Sequence, residues 1–141
     1  MYPLLSLPSF RPDLHWYQRA LEELALRVLP QCPRAVRLPG LTGVFAPGGG
    51  GKLAAVGVSC RRWVTSHGLS INVSEEATPG GLAAPCGIEG AVGASAEEVW
   101  GVWGGGEDMG VAKGRAREAF EEVFCCETVD YRGGGGAFGN R

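Results

Sequence analysis

Two residues of this 141-residue chain could do covalent chemistry together, Lys52 and Cys86. A thiol is a good nucleophile at neutral pH when a positive charge or a base stands beside it, because the thiolate is the reactive form. A lysine brought next to it by the fold supplies that charge. Lys52 opens the phrase KLAAVGVSCRRWVTSHGLSINV, and Cys86 sits in PCGIEG. Pro-Cys-Gly reads as a turn, which exposes a thiol and leaves backbone N–H groups nearby to hold an oxyanion. Each residue also has a plain structural reading. Lys52 is then an edge residue that keeps its charge in water, and Cys86 a small buried hydrophobe. His67, read in a turn before Gly68, could be a base for Cys86, cap that turn or line a pocket. His15, in the first helix, reads as structural. Cys60, His67 and Cys86 have a spacing that matches no metal site.

The glycine run before Lys52 invites a phosphate-loop reading, which fails. That motif needs Gly-x-x-x-x-Gly-Lys followed by Ser or Thr at the start of a helix. Here Ala46 holds the first glycine position and Leu53 the last, and Leu53 opens a strand. A hairpin turn is the better reading.

The elements that must position these residues follow from periodicity. Leu14, Tyr17, Leu21, Leu24 and Val28 recur in steps of three and four and predict a helix with one apolar face. Arg19, Glu22 and Glu23 lie off that face. Asp13 in the first turn suits the helix dipole, and Pro30 stops the helix. Leu4, Leu5 and Leu7 suggest a strand end, and residues 42–46 a strand. Residues 53–58 form a nearly continuous apolar run, as in a strand covered on both faces. Residues 63–65 read as a further short strand. Leu69, Ile71 and Val73 alternate with Ser70, Asn72 and Ser74, the mark of a strand with one wet face. Ser95 and Glu98 form a capping box that opens a helix. Met109, Ala112, Ala116, Phe120 and Val123 mark another, weakened by Gly110 and Gly114 by roughly 1 kcal/mol each. Residues 125–131 suggest a last strand. Strands at the centre with helices at both ends predict an α+β domain over 1–131. Residues 132–141 read as a loose Gly-rich tail.

Bulk composition narrows the function classes. The chain is long enough for one domain, and 45% hydrophobic content is that of a globular protein. A net charge of −2 gives no polybasic face for nucleic acid or membrane. No run of roughly 18 apolar residues is present. The five cysteines, Cys32, Cys60, Cys86, Cys125 and Cys126, show neither a disulfide framework nor a CxxC, which favours a reducing compartment. The 24 glycines cluster at 48–51, 104–106 and 133–136, read as loops and tail.

At these phrases the sequence resembles the octanoyltransferases of the lipoyl-protein ligase B type, which have the biotin/lipoate protein ligase fold. The matching phrases are RPDLHWYQRALEE (11–23), LTGVF (41–45), KLAAVGV (52–58), RWVTSHGLSINV (62–73) and PCGIEG (85–90). They keep the family's order and spacing across most of residues 2–127. The resemblance implies transfer of an octanoyl group from octanoyl-acyl carrier protein to a lysine of a lipoyl domain, through a cysteine thioester. Cys86 then matches the nucleophile and Lys52 its acid/base partner. Ala55, Val56 and Gly57 match one wall of the acyl pocket, and Gly68, Leu69 and Ser70 a second wall. No cofactor is implied. The acceptors would be lipoyl domains of 2-oxoacid dehydrogenases and the glycine cleavage H protein, and the enzyme a monomer. A family segment with Arg-Gly-Gly and Thr-x-His-Gly-Pro-Gly-Gln has no match, so residues 1–141 read as the C-terminal majority of the catalytic domain, incomplete at its N-terminus. The stretch ATPGGLAA stands where bulky apolar residues are usual, and Phe45 where tryptophan is usual. The glycine-rich insertions point to a eukaryotic, mitochondrial protein; a bacterial one would be cytoplasmic. Two other readings compete: a non-catalytic remnant that binds lipoyl domains, and a thiol hydrolase using Cys86 with His67.

Overall fold

The first long element, α1 (Leu14–Val28), shows how the polar sequence positions the apolar one. Asp13 is extended and caps the helix, its Oδ1 accepting from Trp16 N–H at 3.0 Å. That bond holds the Asp13 carboxyl below the usual carboxylate range. Asp13 is therefore the cap rather than a first-turn residue. Tyr17, Leu21, Leu24 and Val28 are buried as the spacing predicts, each apolar side chain contributing roughly 1.5–3 kcal/mol. Two positions depart from the expected face. Leu14, the first residue of the helix, is exposed, and Glu22 is buried.

The computed structural model describes residues 1–29, 34–77, 92–101 and 109–130. Beyond α1 it holds strands β1 (Val44–Phe45), β2 (Lys52–Arg61) and β3 (Val64–Ile71), then helices α2 (Ala96–Trp100) and α3 (Met109–Phe124). The strands form one antiparallel sheet in the order β1-β2-β3. This is the α+β architecture that the periodicity predicts.

β2 and β3 form a long hairpin in register from Ala54↔Ile71 to Arg61↔Val64. Its two-residue turn is Arg62-Trp63, at φ 52° and 64°. Positive φ at both turn positions gives the twist that matches paired strands. The turn expected at His67 lies at Arg62-Trp63 instead. His67 lies inside β3 opposite Val58, and the short strand read at 63–65 is the start of β3. Coverage on both faces holds only at the start of β2. Lys52, Leu53 and Ala54 are buried, whereas from Val56 to Arg61 half-buried and exposed residues alternate.

Residues 1–7 cover the outer edge of β3. Met1 and Leu69 exchange backbone bonds of 2.8 and 3.0 Å, Thr65 N–H donates to Leu5 O at 2.9 Å, and Leu7 N–H to Trp63 O at 2.9 Å. Such cover removes an open strand edge. The buried Thr65 hydroxyl donates to Pro3 O at 3.1 Å and accepts from Leu5 N–H. Tyr17 donates to the same Pro3 oxygen at 3.3 Å, and burial pushes its phenol up.

α1 and α3 pack together around Phe124, whose ring meets Phe120, Trp16, Phe10 and Tyr17 at centroid distances of 4.8 to 6.1 Å. Arg27 and Glu122 bridge the two helices at 2.5 Å. Met109 opens α3 exposed rather than on the apolar face. Residues 126–130 form no strand. Arg117 holds them instead, donating to Asp130 Oδ1 at 3.0 Å and to Thr128 O. The glycine segments at 104–106 and 133–136, and the tail reading, lie outside the described residues.

Candidate active site

Lys52 is the first residue of β2, and its backbone is clamped from two sides. Its N–H donates to Val92 O at 2.8 Å, and its carbonyl accepts from Ala94 N–H at 3.1 Å. These bonds lay residues 92–94 parallel to the start of β2. Asn72 locks the junction. Its side-chain amide donates to Lys52 O at 3.2 Å and to Ala94 O at 3.1 Å. α2 follows at once, opened by the expected capping box between Ser95 and Glu98. Gly51 permits the close approach, since a β-carbon there would lie 2.6 Å from that of Ala94.

The Lys52 side chain is 4% exposed, so it is not the solvated edge lysine of the plain reading. Its Nζ lies 5.6 Å from the centroid of the Phe45 ring, within range of a cation–π attraction. Among the described residues no carboxylate pairs with it. Its stem fills the space beside Gly43. A β-carbon on Gly43 would lie 2.6 Å from Lys52 Cε and 3.4 Å from Nζ. Gly43 has φ 116°, a conformation that suits glycine.

A cavity of about 430 Å³ opens on the β2–β3 ladder. Its lining includes Ala55, Val56, Gly57, His67, Gly68, Leu69 and Ser70, together with Val58 and Tyr2. Every pocket residue carried over from the family phrases therefore meets in one place. The register explains why, since Ala55 faces Ser70, Val56 faces Leu69, Gly57 faces Gly68 and Val58 faces His67. A side chain at Gly57 would enter open space. One at Gly68 would strike Met1 O at 2.5 Å and Pro3 Cδ at 2.7 Å. His67 is exposed, at φ 63°, with its ring edge-on to Tyr2 at 6.2 Å. Lys52 does not line this cavity. It lies three residues up the strand from Ala55, roughly 10 Å by strand rise. Cys86 and the PCGIEG phrase lie outside the described residues.

Periodicity missed three residues around Lys52. Glu22 reads as lying off the apolar face of its helix, Asn72 as a wet-face strand residue and Gly43 as part of a strand. Of the cysteines, Cys60 is half-buried, Cys125 exposed and Cys126 half-buried, with burial pushing the Cys126 thiol up. Among the described residues no cluster of three His, Cys, Asp or Glu could hold a metal. No helix among them is long and apolar enough to cross a membrane.

The lipoyl protein ligase A/B catalytic domain is the family whose model matches residues 1–95, and the chain belongs to that family. Among individual proteins it is similar to an octanoyltransferase of Nostoc sp., 41% identical over 131 residues, which is 92% of this chain and 56% of that protein. An octanoyltransferase of Parasynechococcus marenigrum is 48% identical over 90 residues, 63% of this chain and 38% of its own length. A chloroplastic octanoyltransferase of Arabidopsis thaliana is 46% identical over 90 residues, 62% of this chain and 31% of its own. The chain thus spans about half or less of the length of these curated relatives.

Proposed function

We propose that this chain performs octanoyl transfer, with Cys86 as the nucleophile and Lys52 as the acid/base. The observation that carries this reading is the convergence of every family-matched wall residue on one cavity, along the strand that Lys52 begins. Kinship with octanoyltransferases supports it. So does the return of the chain to Lys52 at Val92, six residues beyond Cys86.

In the first step the Cys86 sulfur bonds to the acyl carbon of octanoyl-acyl carrier protein. The carrier's thiol leaves, and the proton lost by Cys86 ends on it by way of Lys52. Thioester replaces thioester, so the step is nearly isoergic. In the second step a lysine amine of a lipoyl domain attacks the acyl carbon. Lys52 takes the amine proton and Cys86 leaves as thiol. The acceptors are lipoyl domains of 2-oxoacid dehydrogenases and the glycine cleavage H protein. Small residues at Ala55, Gly57 and Ser70 leave room for an alkyl chain, whose burial contributes roughly 0.8 kcal/mol per methylene. The compartment is proposed to be mitochondrial. A fluorescent fusion should be scored for plastids as well, since one relative is chloroplastic.

The test is incubation of the chain with octanoyl-acyl carrier protein, followed by intact mass and peptide mapping. We expect one octanoyl group on Cys86, none in Cys86→Ser, and capture slowed by about 10²–10⁴-fold in Lys52→Met. A folded chain that takes no octanoyl group, or takes it on Cys60 or Cys125, contradicts the reading.

A further inference from the structure

We propose that Glu22 is a positioning residue for Lys52, acting through the Gly43 peptide. Glu22 sits in the middle of α1 and is 1% exposed. Carboxylates are seldom buried so fully, and an apolar residue of similar size often serves stability as well or better. What an apolar residue could not do is hold a backbone N–H. Glu22 Oε1 accepts from Gly43 N–H at 2.9 Å, in a buried setting. Its Oε2 accepts from Arg19 Nη1 at 2.8 Å and lies 3.5 Å from Arg37 Nε.

The same face of α1 secures the rest of that loop. Arg37 Nη2 donates to Glu23 at 2.7 Å, and Gln18 Nε2 donates to Thr42 Oγ1 at 3.0 Å. Of these contacts Gln18 holds the Thr42 side chain, and Glu22 alone holds the Thr42–Gly43 peptide. Gly43 is the joint. Its N–H is held by Glu22, and the space where its side chain would stand is filled by the Lys52 stem. Two residues further on, Phe45 places its ring against Nζ. Fixing the orientation of one peptide therefore fixes the floor of the slot in which the ammonium lies. Losing the Glu22 acceptor frees that peptide to rotate, and the slot with it. A group held about 1 Å out of place can lose much of its catalytic effect.

The catalytic consequence rests on the octanoyl-transfer reading, but the positioning can be measured without it. The chain has only two lysines, Lys52 and Lys113, and Lys113 is exposed on α3, an internal reference. Trace acetic anhydride on the folded chain, read at each lysine by mass spectrometry over a pH series, reports the setting of Lys52 directly. In the wild type Lys52 should label about tenfold or more slowly than Lys113. In Glu22→Ala the Lys52 to Lys113 ratio should rise by about fivefold or more, and its pH profile should move. Glu22→Gln keeps an oxygen that can accept from Gly43 N–H and should move both less. Gly43→Ala drives a β-carbon against Ala54 O and the Lys52 stem and serves as the positive control for a displaced lysine. Glu22→Leu removes the acceptor but suits a buried site, and carries the test should Glu22→Ala not fold. Circular dichroism establishes that each variant is folded. An unchanged ratio and profile in folded Glu22→Ala, or in folded Glu22→Leu if it is not, overturns the proposal. Wild-type chain that captures no octanoyl group, while Glu22→Ala still exposes Lys52, removes the enzymatic reading and leaves the positioning. Normal capture on Cys86 with an unchanged labelling ratio removes the positioning alone.

Discussion

Lys52 is buried by contacts to its carbon chain, with Gly43 beside the stem and the Phe45 ring near the nitrogen. His67 is differently placed. It is exposed at the cavity wall, inside a strand, with a ring neighbour but a backbone conformation that costs roughly 1–2 kcal/mol in a non-glycine residue. These settings predict different kinetic losses. Replacing His67 by alanine should lower kcat/KM by no more than about tenfold, through the cavity wall, whereas Lys52→Met should cost about 10²–10⁴-fold. Steady-state kinetics with octanoyl-acyl carrier protein checks this. Equal losses would make His67 the base and revive the Cys–His hydrolase reading. The wall residues could be read from the sequence because their phrases are distinctive. Glu22 could not, because a polar residue beside a core stripe looks solvated until its partner is known. That partner is a backbone N–H from another part of the chain, which no side-chain pattern reveals.

At the scale of elements, α1, α2 and α3 were legible because their spacing and caps are local. The β2–β3 hairpin was legible as two strands but not in its turn. Arg62 and Trp63 carry none of the glycine or asparagine that positive φ favours, while His67-Gly68 imitates a turn inside β3. The turn therefore holds two non-glycine residues in a left-handed conformation. Arg62→Asn should stabilise the fold by about 0.5 kcal/mol, since asparagine tolerates positive φ and the Arg62 side chain is exposed. Trp63 is left in place, because it is only 45% exposed and its carbonyl accepts from Leu7 N–H. Urea unfolding checks this, and a lower midpoint for the variant would show that the Arg62 side chain matters more than the backbone. Over residues 125–130 the strand expected at 125–131 does not form. Thr128 and Asp130 bond Arg117 and Glu121 instead of a ladder, and Thr128 bonds Glu121 through both its amide and its hydroxyl.

Taken whole, the molecule packs α1 on a three-stranded sheet and α3 against α1, with residues 1–7 along one sheet edge and residues 92–94 beside Lys52. The α+β class could be read from alternating periodicities, but the parallel contact at Lys52 is long-range and leaves no local signature. It is also the contact that brings the sequence following Cys86 back to Lys52. The proposed chemistry requires the Cys86 sulfur to reach the Lys52 ammonium in the folded chain. A short amine-to-thiol cross-linker applied to the native protein, followed by peptide mapping, tests this most directly. The expected product is a cross-link joining Lys52 to Cys86. A folded chain in which Cys86 links only to Lys113 or to the N-terminal amine, and never to Lys52, would contradict it.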